Sequence, residues 1–166
     1  MDKRQIAIKL AVNTLGINFS VGSFQDRLIL QKSVYLSQVA GVNFGYHYRW
    51  YLKGPYCNTL ADDCYAVVHN EAEYNGWTLD EASSAVLKSK VKPLLNESTP
   101  DKLAKKLELL ASVHFLIDRG QVSKSNIAGI VEVLKNNNKN FEYDEVKNAL
   151  EELERYGLIG QEQNNS

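Results

Sequence analysis

The chain has 166 residues, 44% of them apolar, which suits one folded domain or one core with a small appended module. Nineteen basic and twenty acidic side chains give a net charge of -1, which excludes a global, histone-like attraction to nucleic acid. The charge is uneven, because residues 1–57 carry +5 while residues 58–100 and 101–166 carry -4 and -2. No segment is long and apolar enough for a membrane span, which predicts a cytoplasmic protein without membrane partners.

Apolar residues three and four positions apart predict two helices in the N-terminal part of the chain. The first covers residues 3–15 and stops at Gly16. The second runs from Phe24 to Ala40, with Ser23 as its N-cap and Gly41 as its stop. Apolar residues cover more than one stripe of this second helix, which predicts a central helix packed on two sides.

The segment from Gly45 to Tyr56 alternates strictly and holds the densest run of aromatic residues, which predicts a strand. Successive side chains of a strand point to opposite faces. The residues predicted to face the core are Tyr46, Tyr48, Trp50 and Leu52. The residues predicted on the outer, basic and aromatic face are His47, Arg49, Tyr51 and Lys53.

The dipeptide Gly54-Pro55 predicts a turn from this strand into a helix capped by Asn58 or Thr59. Asp62 and Asp63 are predicted in the first turn of that helix, where they would complement the helix dipole. Residues 70–79 are predicted as a loop or as a short second strand that pairs with the first. Thr78 is the predicted cap of a further helix from Leu79 to about Ser89.

Pro93 and Pro100 mark a boundary, after which three helices are predicted. They cover Asp101 to Asp118, a segment capped by Ser123, and about Glu142 to Tyr156. The predicted fold is therefore mainly α, or α+β with a small β element, and consists of a helical core, one or two short strands and a winged-helix-like three-helix bundle. The predicted regions, residues 1–95 and 96–166, are expected to pack as one globular unit.

The predicted helix-turn-helix outline raises the question of DNA binding. The helix that would enter the major groove is dominated by acidic residues, with Lys147 and Arg155 as its basic ones. The acidic residues are Glu142, Asp144, Glu145, Glu151, Glu152 and Glu154. Phosphates would repel such a helix, which favours packing or protein contact over DNA reading. The basic residues 1–57 are the better candidates for contacting nucleic acid.

Cysteine and histidine residues offer little catalytic or metal-binding signal. The spacing of Cys57 and Cys64 matches neither a zinc site nor a redox pair, which predicts two buried thiols. Cys57 near a helix N-terminus, with His47 on the preceding strand, is the one nucleophile-base pair to consider. His114 lies on an apolar stripe and is predicted to be a partly buried core histidine. The prediction is a protein that is not an enzyme and that holds no cofactor or metal.

The outer face of the aromatic strand leaves two interpretations open. It is either a solvated face with long basic side chains lying along it, or a partner-binding surface. Tyr, Trp and Arg are common interface anchors, and an exposed strand edge would add backbone pairing. The predicted partner-binding residues are His47, Arg49, Tyr51, Lys53 and Tyr56.

Two segments together resemble a known family. Residues 28–36, Leu-Ile-Leu-Gln-Lys-Ser-Val-Tyr-Leu, resemble a helix motif in which Leu-x-Leu-Gln-Lys precedes an apolar-Tyr-apolar triplet. Residues 48–56, Tyr-Arg-Trp-Tyr-Leu-Lys-Gly-Pro-Tyr, followed by Leu60 and Asp63, resemble the aromatic strand that comes next. Both occur in order in YwgA-type prokaryotic proteins, and more loosely in the SocA-like Panacea antitoxin domain.

The resemblance covers about residues 24–68 and implies a non-enzymatic helical domain with a small strand element. It implies a role in toxin neutralisation, proteolytic adaptor work or phage-related defence. Relatives usually continue with Ser-Pro-Glu where this chain has Cys57-Asn58-Thr59. The predicted function is a non-catalytic protein-interaction module whose partner is a toxin or defence component. The alternative is a nucleic-acid-binding transcriptional regulator that uses the basic N-terminal third.

Overall fold

The computed structural model describes residues 2–70 and 76–160. These residues form seven α-helices and one two-stranded antiparallel sheet, so the predicted mainly α class with a small β element is confirmed. The strands are β1 (Arg49–Tyr51) and β2 (Gly54–Tyr56). The helices are α1 (Lys3–Thr14), α2 (Phe24–Val39), α3 (Asn58–His69), α4 (Glu81–Val86), α5 (Pro100–Asp118), α6 (Ile127–Asn136) and α7 (Tyr143–Arg155). In the described ranges, no helix has the length and apolar character needed to cross a membrane.

The two N-terminal helices match their predicted ranges to within a residue. Asp2 caps α1 by accepting the Gln5 amide, and Ser23 caps α2 by accepting the Asp26 amide. Every residue of α2 from Leu28 to Ser37 is buried, and this helix contacts α1, α3, α5 and β2. The prediction of a central helix packed on more than one side is confirmed.

Helices α2 and α5 form the middle of the core. The Tyr35 hydroxyl and His114 Nδ1 share a hydrogen bond of 2.6 Å, and the half-buried imidazole confirms the predicted core histidine. Burial lowers the pKa of His114, so the neutral ring is available as an acceptor near pH 7. One apolar cluster includes residues from every helix except α4, whose Val86 packs against it, so the N-terminal and C-terminal parts share this cluster. The boundary between residues 95 and 96 stays a prediction.

The aromatic strand is shorter than predicted and folds back as a hairpin. Trp50 in β1 lies opposite Pro55 in β2, and Leu52 and Lys53 form the turn. Gly54-Pro55, predicted to lead into a helix, instead begins β2. Gly54 has a φ of +96°, a backbone conformation that residues with a side chain rarely adopt, so glycine is suited to leave this tight turn.

The predicted alternation of inner and outer side chains holds only as far as Trp50. From Val42 to Tyr48 buried and exposed residues alternate, although this stretch precedes β1. Tyr46 and Tyr48 are buried as predicted, and Trp50 is half-buried. Leu52 is 77% exposed, so its predicted inward position is wrong. The turn places this side chain at the tip of the hairpin, outside the alternating register.

The beginning of α3 also differs from the prediction. Cys57 occupies the N-cap position and makes no side-chain capping bond, while Asn58 and Thr59 lie inside the helix. Neither predicted cap is correct. Asp62 and Asp63 lie beyond the first turn, so the prediction that they complement the helix dipole there is also wrong.

The helix predicted from Leu79 to about Ser89 starts later, its α-helical part is shorter, and its predicted cap Thr78 is wrong. Asp80 caps α4 by accepting the Ser83 amide. The chain continues through a π-helical turn (Leu87–Val91) and a 3₁₀ turn (Lys92–Leu95). For the residues before this helix, a short second strand pairing with the first is the alternative prediction to a loop. Residues 71–75 lie outside the described residues, and the strand that pairs with β1 is β2.

In the C-terminal part, Thr99 caps α5 and α7 begins after a capping box at Glu142. Asn126 caps α6, so the predicted cap Ser123, in the preceding turn, is wrong. Helix α7 contacts both α5 and α6, as expected for a three-helix bundle. Residues 96–160 contain no strand, so the described bundle lacks a wing.

Candidate functional site

Three of the five predicted partner-binding residues line one groove. Tyr51, Lys53 and Tyr56 belong to the hairpin and face the start of α2 and the body of α3. His47 and Arg49 are exposed but are not among the groove-lining residues. Their assignment to a partner-binding surface stays a prediction.

The groove is open, and its walls are largely apolar and aromatic. It has a volume of about 280 Å³. We call it the aromatic groove and define it by Phe24, Tyr51, Leu52, Tyr56 and Tyr65. Leu52, Tyr51, Phe24 and Tyr65 are 77%, 61%, 60% and 42% exposed, respectively. Such clustered exposure of large apolar side chains is unusual on a soluble surface and is typical of interaction sites.

The charged residues that line the aromatic groove are all basic. Its described lining residues include the basic Arg27, Lys32 and Lys53 and no acidic residue. The Arg27 guanidinium donates to the Val21 carbonyl at 2.9 Å, which holds it beside the groove. Asp62 lies near the edge of the groove. The pKa of Tyr56 is raised, first by burial and then by the negative charge of Asp62.

Two buried lysines hold the hairpin from below. Lys32 Nζ donates to the Pro55 carbonyl at 2.6 Å, and Lys139 Nζ donates to the Leu52 carbonyl at 2.6 Å. Lys139 also forms an ion pair with Glu108 at 3.1 Å. The backbone on both sides of the exposed turn is therefore fixed by contacts to α2 and to the connection between α6 and α7. Sequence reasoning missed these two lysines.

Burial sets the protonation of this lysine pair. It lowers the pKa of Lys32 to about 7, with Glu108 opposing the shift and Lys139 adding to it. The pKa of Lys139 is also lowered by burial, although its hydrogen bond and charge interaction with Glu108 act the other way. A neutral amine still has N–H groups, so Lys32 can donate to the Pro55 carbonyl in either protonation state.

A second buried polar centre surrounds Asp63. Its carboxylate accepts from Tyr46 Oη at 2.7 Å, Gln5 Nε2 at 3.0 Å and Arg4 Nε at 3.1 Å. These bonds tie α1 and the segment before β1 to α3. The sequence indicates these hydrogen bonds only indirectly, through an acidic residue that is followed by apolar positions in a predicted helix.

Cys57 is buried whereas His47 is exposed, which disfavours the nucleophile-base pair considered from the sequence. Both thiols are free and buried, as predicted. The Gln31 side chain accepts from the N–H of Cys57 at 3.1 Å and donates to the Cys57 carbonyl at 2.9 Å. These bonds involve the backbone of Cys57 and not its sulfur. Burial raises the pKa of Cys64 to about 12, which keeps it a thiol. Across residues 2–70 and 76–160, no group of three or more His, Cys, Asp or Glu side chains could hold a metal ion.

The positive charge of residues 1–57 is partly used inside the fold. Arg4 pairs with Asp63, and Lys32 is buried under the hairpin. On α7, the acidic residues Asp144 and Glu151 are exposed. Arg4 and Lys32 are therefore less available to a nucleic-acid backbone, and the nucleic-acid alternative stays a prediction.

The two segments that carry the family resemblance touch each other. Gln31 and Lys32 from the first segment bond the backbone of Cys57 and Pro55, in and just after the second. A Gln-Lys pair between the apolar stretches 28–30 and 34–36 of one helix is the signal that could have indicated buried polar contacts. No protein-family model, curated protein or solved structure matches the chain.

Proposed function

We propose that this chain is a non-catalytic protein-interaction module that acts as an antitoxin, an adaptor or a phage-defence component. The observation that carries the proposal is the aromatic groove. Of the six large apolar side chains that are exposed in the described residues, four line this groove. Phe24, Tyr51, Leu52 and Tyr65 would lose solvent contact when a protein partner covers them, which stabilises a complex.

The support beneath the hairpin favours binding. Lys32 and Lys139 hold the carbonyls of Pro55 and Leu52, so the tip needs little further ordering on association. Immobilising a flexible side chain or loop at an interface opposes binding, and a pre-ordered tip avoids part of that loss. The exposed Tyr51 and Leu52 are therefore suitable anchors.

The chemistry of the groove supports binding more than catalysis. Cys64 is protonated well above neutral pH, and Lys32 donates its hydrogen bond to a backbone carbonyl. Nucleophilic catalysis needs an activated group within reach of a base and of a substrate. The resemblance to YwgA-type and Panacea proteins supports the assignment to antitoxin, adaptor or defence systems.

The test is purification of the tagged chain from its native cells, followed by mass spectrometry. We expect a stoichiometric protein partner that is lost from Tyr51→Ser and weakened by charge reversal at Arg49 and Lys53. Tyr143→Ser and Lys147→Glu are matched controls, because Tyr143 and Lys147 are exposed on α7. Recovery of the chain alone, or equal loss of the partner from the control variants, would count against the proposal.

A further inference from the structure

The chemistry of the aromatic groove narrows the kind of partner that fits it. Exposed aromatic and aliphatic side chains form its walls, and Arg27 and Lys53 supply charge of one sign. The groove also contains the hydroxyl groups of three tyrosines, which can donate hydrogen bonds to an occupant. These are Tyr51, Tyr56 and Tyr65. An occupant therefore gains from apolar side chains at its centre and from carboxylates at its border.

We infer that the aromatic groove binds an amphipathic segment of a protein partner, in which aliphatic or aromatic residues are flanked by Asp or Glu. This inference rests on the proposed interaction function and specifies the partner surface. Charge complementarity at a border mainly sets the rate and selectivity of association, while buried apolar anchors supply most of the affinity.

The edge of β2, beside the groove, favours a partner that binds through its side chains rather than by adding a strand. Pro55 in β2 has no N–H, its carbonyl accepts from Lys32, and Gln31 occupies both backbone groups of Cys57. A peptide that adds a strand needs free backbone donors and acceptors along the edge. The β2 edge offers few of these, so an inserted apolar side chain is the better fit.

The size of the groove is compatible with an inserted side chain. Its volume of about 280 Å³ is slightly below the roughly 300–1,000 Å³ of typical small-molecule sites. Leu52, 77% exposed, stands at its open side. A site of this size with such an exposed anchor can take a few side chains of a protein segment.

The experiment presents the full chain with a displayed library of random peptides and uses Leu52→Ser as the counter-selection target. We expect the enriched peptides to combine Leu, Phe or Trp with Asp or Glu. A synthetic copy of the strongest peptide should bind Leu52→Ser about tenfold more weakly than the wild type. Tyr143→Ser, an exposed aromatic residue removed from α7, should bind like the wild type.

Charge is tested with Lys53→Glu, because this side chain is exposed. The variant should lose several-fold affinity for the acidic peptide, and the loss should shrink as salt rises. Lys147→Glu on α7 is the matched control. Circular dichroism confirms that each variant is folded. Enrichment of Lys- or Arg-rich peptides, absence of any Leu52-dependent peptide, or equal binding by Lys53→Glu would overturn the inference.

Sedimentation with phosphatidylserine-containing vesicles tests a membrane as the acidic surface instead. Vesicle binding that disappears in Leu52→Ser would overturn the assignment to a protein segment, whereas no sedimentation supports it. The outcomes also separate the two proposals. A cellular partner that does not depend on Leu52 would overturn this inference and leave the interaction function standing, while absence of both partner and peptide would overturn both.

Discussion

Two buried polar centres of this fold are built in opposite ways. In the first, one carboxylate, Asp63, accepts three side-chain donors. In the second, Lys32 and Lys139 face one carboxylate, Glu108, and each also donates to a backbone carbonyl of the hairpin. The first centre has its acceptors well satisfied. The second has an excess of buried positive charge when both lysines are protonated.

Because their charge balance differs, the Asp63 centre mainly stabilises the fold, whereas the lysine centre mainly positions the hairpin. A buried carboxylate with three donors stabilises the contact between α1 and α3, because its lost hydration is replaced by protein donors. Two buried lysines beside one carboxylate gain less, because desolvation opposes their charged forms. Their geometric result is a fixed hairpin tip, with Tyr51 and Leu52 held outward.

Of the two polar centres, the Asp63 centre should give the larger loss of stability when it is broken. Asp63→Ala should lower the free energy of unfolding by about 3 kcal/mol, because it leaves the buried Tyr46 hydroxyl and two further donors unpaired. The expected loss is not larger, because the Arg4 side chain is partly exposed and water can replace part of its interaction with Asp63. Urea unfolding measures it. Asp62→Ala, at the exposed adjacent position, should change the value by less than about 0.5 kcal/mol, and an equal loss in both variants would contradict the prediction.

The next effect concerns Gly54, above the lysine centre. Gly54→Ala should destabilise by about 2 kcal/mol, because its φ is +96° and a Cβ there would overlap the buried Ser112 Oγ. Gly16→Ala is the control: its φ is +76° and nothing lies within 4 Å, so about 1 kcal/mol is expected. Adding Ser112→Ala should recover part of the Gly54→Ala loss in thermal or urea unfolding. No recovery would show that backbone strain alone is responsible.

The lysine centre should also make stability depend on pH. Lys32 titrates near 10.5 in the unfolded chain, whereas burial lowers its pKa to about 7 in the fold. Between these values the unfolded chain binds a proton that the folded chain does not, so the unfolding free energy rises with pH. The rise due to Lys32 is at most about 1.4 kcal/mol per pH unit. Lys32→Met should reduce this slope in urea unfolding at several pH values.

Two other charged groups face Lys32 and shape this result. Glu108 from α5 opposes the lowering of the pKa, and Lys139, between α6 and α7, adds to it. The pKa of Lys139 is itself lowered, so a smaller rise should remain in Lys32→Met. Lys147→Met, at an exposed position, should keep the wild-type slope. Equal slopes in all three proteins would contradict the assignment to Lys32.

The smallest stability effect is expected at the hairpin tip. Leu52→Ser should change the unfolding free energy by less than about 0.5 kcal/mol, because this side chain is 77% exposed. Leu60→Ser is the matched contrast, since Leu60 is fully buried and its loss should exceed about 3 kcal/mol. A large destabilisation by Leu52→Ser would show that the tip serves the core rather than a partner.

Local patterns predicted the helices well. Apolar periodicity and the stops at Gly16 and Gly41 placed α1 and α2 to within a residue, because these signals act over one or two turns. The hairpin was missed because the turn at Leu52 and Lys53 contains no Asn-Gly or Asp-Gly signal. Gly54-Pro55 suggested an ending, although proline is tolerated at a strand edge.

The candidate site was predictable only in part. Tyr51, Lys53 and Tyr56 were identified from their residue types, and they line the groove. Phe24 and Tyr65 belong to α2 and α3, and only the tertiary fold brings them beside the hairpin. The buried lysines depend on partners far along the chain, as Lys139 and Leu52 show. Such contacts have no local sequence period.

The occupied edge of β2 has a consequence for solubility. An unprotected strand edge is a template on which further copies of a chain can add strands and grow into aggregates. Here Pro55 provides no donor, and Gln31 and Lys32 bind the polar groups at and just beyond this edge. The chain can therefore display Tyr51 and Leu52 beside a β-hairpin while the β2 side remains a poor nucleus for an intermolecular sheet.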